Sequence, residues 1–123
     1  MTTLTIERLR KSFESPDEVR HLPKARIEVV RLEGHTAMRA HFEPGWRWSE
    51  HIRPEVGTEL CEVGHVGYLI SGQLATRFRD GTEIVGKPGD FVVLPPGHDG
   101  WVVGDETAVF IDFVGGETYG KKL

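Results

Sequence analysis

QLATRFRDGTEIVG, residues 73–86, decides the fold class. Two runs with strand character flank Asp80-Gly81, a dipeptide that supplies the positive φ angles of a type I′ hairpin turn, whose twist matches the strands it joins. Alternation then places Leu74, Thr76 and Phe78 on one face and Ala75, Arg77 and Arg79 on the other. Outward from this hairpin the pattern repeats. Short runs that alternate or are rich in β-branched residues predict strands near 26–32, 36–42, 47–53, 58–62, 65–71, 73–79, 82–86, 91–94, 100–103 and 107–114. Prolines beside glycines, as in Pro44-Gly45, Pro88-Gly89 and Pro96-Gly97, punctuate these runs. The one local helix signal is Ser15-Pro16-Asp17-Glu18, a capping box with proline at the first helical position, and Pro23 limits it to a short N-terminal helix. So many short strands call for an all-β fold, a closed or two-sheet antiparallel arrangement that hides its edges.

Composition sets the outer bounds. The chain has 123 residues, enough for one domain with a sizeable core. Fifteen Lys+Arg against nineteen Asp+Glu give a formal charge of −4 with both signs interspersed, which is not the basic footprint of a nucleic-acid binder. No apolar run approaches the roughly 20 residues of a membrane helix, and the N-terminus lacks the apolar core of an export signal. The single cysteine cannot form an internal disulfide, so a reducing cytoplasm is the expected compartment.

Three stretches carry chemistry. In CEVGHVGYLISG, residues 61–72, Cys61 stands four residues ahead of His65. In an unbroken strand the two would lie about 13 Å apart. Metal bonds of roughly 2.0–2.3 Å require a reversal between them, which Glu62-Val63-Gly64 is short enough to make. The alternative is a small buried cysteine and a hydrogen-bonded strand histidine. In PGDFVVLPPGHDGWVVGDE, residues 88–106, Pro95-Pro96-Gly97 forces a bend from which His98, Asp99 and Trp101 emerge. Asp99 is then either the group that orients the His98 imidazole or part of a polar turn. In FEPGWRWSEH, residues 42–51, alternation puts Trp46 and Trp48 on one face and His51 on the other, so the tryptophans belong to the core or wall a ligand pocket. His21, His35 and His41 have no partner pattern and read as structural or surface residues. No hydrolase nucleophile motif, phosphate loop or H-E-x-x-H helix occurs.

The residues around 89–100 resemble the second motif of the cupin superfamily: Gly89, Pro95 and Gly97 match its spacing, while its histidine slot falls on Gly100, with His98 two residues earlier. In the first motif, Gly72 fits the final glycine, which places His65 in the glutamate slot, Cys61 in the second histidine slot and Glu59 in the first. Counting from Gly45 instead reaches His51, an outside candidate. More narrowly, Pro16 to Arg20, Pro44 to Glu50, Cys61 to Gly72 and Pro95 to Glu106 resemble a group of small single-domain bacterial cupins with the run PPGHD-x-WVVGDE.

The resemblance implies a double-stranded β-helix of jelly-roll type. It would hold an arm and short helix over 1–25, a β-barrel over 26–114 and a tail over 115–123. It also implies one divalent transition metal inside the barrel on His65, His98 and Cys61, with Glu59 and His51 as weaker candidates. Zinc or iron comes first for a thiolate and imidazole set, with nickel or manganese next. Asp99, Trp101, Trp46, Trp48 and Tyr68 would line or support a small-molecule pocket. The implied function is metal-dependent chemistry (oxygenase, isomerase or lyase) or ligand binding in that pocket, and the alternative is a non-enzymatic sensor that lacks metal. A homodimer is expected, with residues 1–12, including Leu4, Ile6 and Leu9, adding a strand to the partner.

Overall fold

The computed structural model describes residues 9–122. Among them are nine strands: β1 (Glu18–Leu22), β2 (Ala25–Leu32), β3 (His35–Phe42), β4 (His65–Ser71), β5 (Gln73–Phe78), β6 (Glu83–Gly86), β7 (Phe91–Leu94), β8 (His98–Val103) and β9 (Ala108–Asp112). Two single-turn helices, α1 (Trp48–His51) and α2 (Arg53–Val56), lie between β3 and β4. Every neighbouring pair is antiparallel. One sheet has six strands in the order β1-β2-β3-β9-β4-β7 and the other three in the order β6-β5-β8. This is the expected all-β jelly roll with little helix. No helix among the described residues is long and apolar enough to cross a membrane.

The core is where the strand pleats point inward from both sheets. Ile27 and Val29 of β2, Met38, Ala40 and Phe42 of β3, Leu69 of β4, Val102 of β8 and Ala108 and Phe110 of β9 form one buried cluster. Alternation along β9 continues the inward series to Asp112, a fully buried carboxylate. The chain passes from one sheet to the other at Gly72, between β4 and β5. There φ is +70°, and a Cβ would stand 2.6 Å from the Ala108 Cα. Only glycine meets both demands.

Four sequence expectations are corrected. The short N-terminal helix does not form. The Asp17 carboxylate instead accepts hydrogen bonds from the Arg31 backbone N–H (2.6 Å) and Lys11 Nζ (2.8 Å), and Glu18 begins β1, paired with β2. Ladder pairing satisfies more backbone groups than a two-turn helix ended by Pro23.

The strand expected at 47–53 is replaced by α1 and α2. Trp48, Ile52 and Val56, spaced by four, are all buried, so the governing period is helical rather than alternating. Pro54, which cannot donate to a ladder, suits the first turn of α2.

The strand at 58–62 is reduced to a single bridge between Cys61 and His98. The Asp80-Gly81 turn is not type I′ either, because only Gly81 has a positive φ. The Phe78 N–H reaches the Thr82 carbonyl, and the Asp80 side chain accepts from the Thr82 N–H. That side-chain bond favours an Asx-type turn over the primed one.

Two further features position the site. The residues of the expected tail fold back on the barrel: Arg20 donates to the carbonyls of Tyr119 (2.7 Å) and Glu117 (3.2 Å), which seats Tyr119 in the core. Of the arm expected to reach a partner, Leu4 and Ile6 lie outside the described residues.

Candidate metal centre

Backbone pairing first brings Cys61 to His98. The Cys61 N–H donates to the His98 carbonyl (2.8 Å), and the Cys61 carbonyl accepts from Gly97 (2.7 Å) and His98 (3.2 Å). The two residues thus face each other across an antiparallel bridge. Residues 62–64 then reverse the chain without regular structure, and His65 opens β4. The separation between Cys61 Sγ and His65 Nε2 is 3.8 Å rather than that of an extended strand. The His65 and His98 rings lie 5.3 Å apart, edge to face. One ligand atom from each of Cys61, His65 and His98 falls within 4.8 Å of the others, and all three residues are buried.

Each imidazole is held so that one nitrogen faces the cluster. His65 Nδ1–H donates to Asp112 Oδ2 (2.5 Å), and His98 Nδ1–H donates to the Pro95 carbonyl (2.8 Å). Both assignments leave Nε2 as a lone pair, the state a metal ligand needs. The other oxygen of Asp112 accepts backbone N–H groups of Val114 (2.9 Å) and Gly115 (3.1 Å). Burial opposes ionisation of Asp112, but the bond to His65 and these N–H groups outweigh it and hold the carboxyl below the usual range.

Desolvation lowers His98, aided by the neighbouring His65 and opposed by the Pro95 hydrogen bond, so its ring is kept neutral. Burial pushes the Cys61 thiol up to about 12, with nearby carboxylates adding to the effect. A cation is what would release that proton.

The donor set fits a transition metal. Two imidazoles and one sulfur suit zinc or iron far better than magnesium or calcium. Bonds of about 2.0–2.3 Å would draw the three donors to roughly 3.5 Å from one another, a small contraction. Beside the cluster is a cavity of about 60 Å³ between the sheets, walled by Met38, Phe42, Leu69, Phe110, Trp46 and Trp48. Tyr119 closes it from the folded-back C-terminal segment, its ring 5.2 Å from that of His65.

The remaining candidates separate. Trp46 and Trp48 line the cavity. Glu59 does not reach the centre: its side chain is 97% exposed and pairs with Arg53 at 3.8 Å. His51 is also apart, its Nδ1 accepting from the Arg47 N–H (3.0 Å) within α1. Asp99 does not orient His98. It accepts from the Ser49 and Gly100 N–H groups and from Arg47 Nε (3.3 Å), tying α1 to β8. Trp101 stacks under the Arg47 guanidinium at 4.4 Å instead of entering the cavity, and Tyr68 is exposed on the outer face. At Gly100, a Cβ would stand 3.3 Å from the Ala75 carbonyl and in ordinary contact, 3.9 Å, with Trp46 Cζ3.

Asp112 and Tyr119 are the site residues that sequence reasoning missed. Asp112 had a signal, its inward parity with Ala108 and Phe110. Tyr119 had none beyond being an aromatic in a polar terminus.

Comparison with solved structures places this fold. The chain is similar to a cupin-like protein of Thermotoga maritima (19% identity over 73% of this chain and 67% of that one, TM-score 0.52). It is also similar to KdgF of Halomonas sp. (20%, 77% and 82%, TM-score 0.54). An RmlC-like cupin of Shewanella frigidimarina aligns comparably (17%, 82% and 86%, TM-score 0.55). No family model matches the sequence, and no curated protein matches it. The fold is that of the cupins.

Proposed function

We propose that this cupin barrel binds one divalent transition metal on Cys61, His65 and His98 and uses it on a small molecule held in the adjoining cavity. The observation that carries the reading is the tautomer control: separate acceptors, Asp112 and the Pro95 carbonyl, hold both Nδ1–H groups and leave both Nε2 atoms free beside a buried thiol. Such an ion, with three protein ligands and an open position, would supply Lewis-acid or oxygen chemistry, which suits an oxygenase, isomerase or lyase. The protein's own part is to orient the histidines, to exclude water with the apolar wall and to keep the thiol proton until a cation replaces it.

The test is elemental analysis of protein purified without a histidine tag, followed by cobalt(II) titration. The reading expects close to one equivalent and a thiolate-to-cobalt absorption band that is absent from Cys61→Ala. Uptake below about a tenth of an equivalent, under conditions where structural zinc sites fill, would overturn it.

A second reading, a ligand-binding domain without turnover, is favoured by one observation. Among the described residues, the titratable side chains lining the cavity are His65, His98 and Tyr119, and no carboxylate is among them. Unchanged ligand affinity in His98→Ala, with no turnover on any metal, would decide for that reading.

A further inference from the structure

Strand register gives the cavity a polar end and an apolar end. Along β4 the buried, inward residues run His65, Gly67, Leu69. Along β5 the cavity-lining Thr76 stands opposite Gly100, next to the His98 layer, and Leu74 stands one layer further on, opposite Val102. The Tyr119 ring, 5.2 Å from that of His65, belongs to the polar end. At the apolar end a Cβ added at Gly86, the ladder partner of Leu74, would touch Leu69 Cδ2 at 3.7 Å and Val92 Cγ1 at 3.8 Å. Leu69, Leu74, Gly86 and Val92 therefore form one wall, and all four line the cavity. Trp46 and Trp48 add carbon surface to it, since the Nε1 of each is fully buried.

Charge and size narrow the occupant. No Lys, Arg, Asp or Glu lines the cavity, so a charged group at its apolar end would lose water and gain no counter-charge. A hydrocarbon segment there would instead gain about fourfold in affinity for each CH₂ buried. The volume of about 60 Å³ is well below the roughly 150 Å³ of a cavity that holds benzene, which leaves room for a short chain rather than a ring. We infer that the site takes a compact molecule with one donor head group on the metal and an uncharged aliphatic tail of about three or four carbons against Leu69, Leu74, Gly86 and Val92. This deepens the function proposed above and rests on it for the head group.

The experiment titrates cobalt(II)-loaded protein with hydroxamates, whose common head group ligates divalent metals, and follows the visible cobalt spectrum. Butyrohydroxamate, with two CH₂ groups more than acetohydroxamate, should bind about fifteenfold more tightly. Hexanohydroxamate outgrows the cavity and should gain no more than about twofold beyond that, whereas a tail lying on the surface would keep gaining. Succinomonohydroxamate, whose tail ends in a carboxylate, should bind more weakly than acetohydroxamate. Gly86→Ala adds a methyl in ordinary contact with the wall; it should weaken butyrohydroxamate about fourfold and leave acetohydroxamate within about twofold. In metal-free protein, dissolved xenon should shift the Leu69, Leu74 and Val92 methyl resonances saturably and leave that of the exposed Val114 in place.

Equal affinity for the acetyl and butyryl compounds, succinyl binding as tight as butyryl, or a full further gain with hexanohydroxamate would overturn the aliphatic tail. If Gly86→Ala fails to fold, the wild-type series and the xenon shifts decide. Saturable xenon shifts without cobalt uptake would remove the metal and leave the apolar tail site standing. Cobalt uptake with neither a xenon shift nor a tail preference would do the reverse.

Discussion

Asp112 shows how much one residue can carry. Its Oδ2 fixes the His65 tautomer, and its Oδ1 takes the backbone N–H groups that begin the C-terminal turn. Asp112→Asn keeps the second role and reverses the first, because an amide NH₂ donates to Nδ1 and moves the imidazole proton to Nε2. Zinc affinity should therefore fall about 10–100-fold, measured by chelator competition, while the fold persists. Affinity within twofold of wild type would show that His65 does not ligate through Nε2. Cys61 and His65 were legible beforehand because counting back from Gly72 put a reversal between them. Asp112 was not, since it lies 47 residues from His65 and only its inward parity on β9 betrays it. The role expected of Asp99 went instead to the Pro95 carbonyl, and a main-chain acceptor leaves no mark in a sequence.

At the scale of elements, β1 and the C-terminal segment depend on a shared charge network. Glu18 pairs with Arg20 (2.7 Å), Arg31 (2.7 Å) and Lys121 (3.4 Å), while Arg20 and Arg31 also reach the C-terminal turn. The hydrogen bonds from Arg20 and Arg31 hold the Glu18 carboxyl down at about 2. A depressed carboxyl contributes stability above its ordinary value of 4.5, and that contribution is lost as pH falls from there toward about 2. Glu18→Gln should lose on the order of 1 kcal/mol at neutral pH, after solvent screening, and show a flatter acid limb in urea unfolding.

Gly67 sets a second dependence. A Cβ there would stand 2.6 Å from the Phe110 ring and closer still to the Ile111 carbonyl, where β4 meets β9. Gly67→Ala should cost about 3 kcal/mol in the same assay. Eight of the expected strands were legible from alternation and turn residues. The α1–α2 segment was misread because Trp46 and Trp48 satisfy a period of two, while the burial of Trp48, Ile52 and Val56 obeys a period of four.

Across the whole molecule, the two sheets divide the labour: inward faces build the cavity and centre, and one outward face is left apolar. On β4 and β7, Tyr68 pairs with Phe91 and Val66 with Val93. Phe91 is 68% and Val93 58% exposed. Strand β7 is also an edge, paired only with β4 among the described residues. An apolar, unpaired edge invites aggregation unless something covers it. A second copy suits the position, because an antiparallel edge-to-edge pairing about a twofold axis would satisfy both backbones and bury the same side chains from each copy. Multi-angle light scattering at micromolar concentration should then give twice the mass of one chain. Phe91→Glu should return the mass to that of a monomer with little change in thermal unfolding at low concentration, since the side chain it replaces is 68% exposed. A wild-type monomer under those conditions would mean that this face stays open. A dimer that survives Phe91→Glu would place the interface away from β7, at one of the other edge strands, β1, β6 or β8.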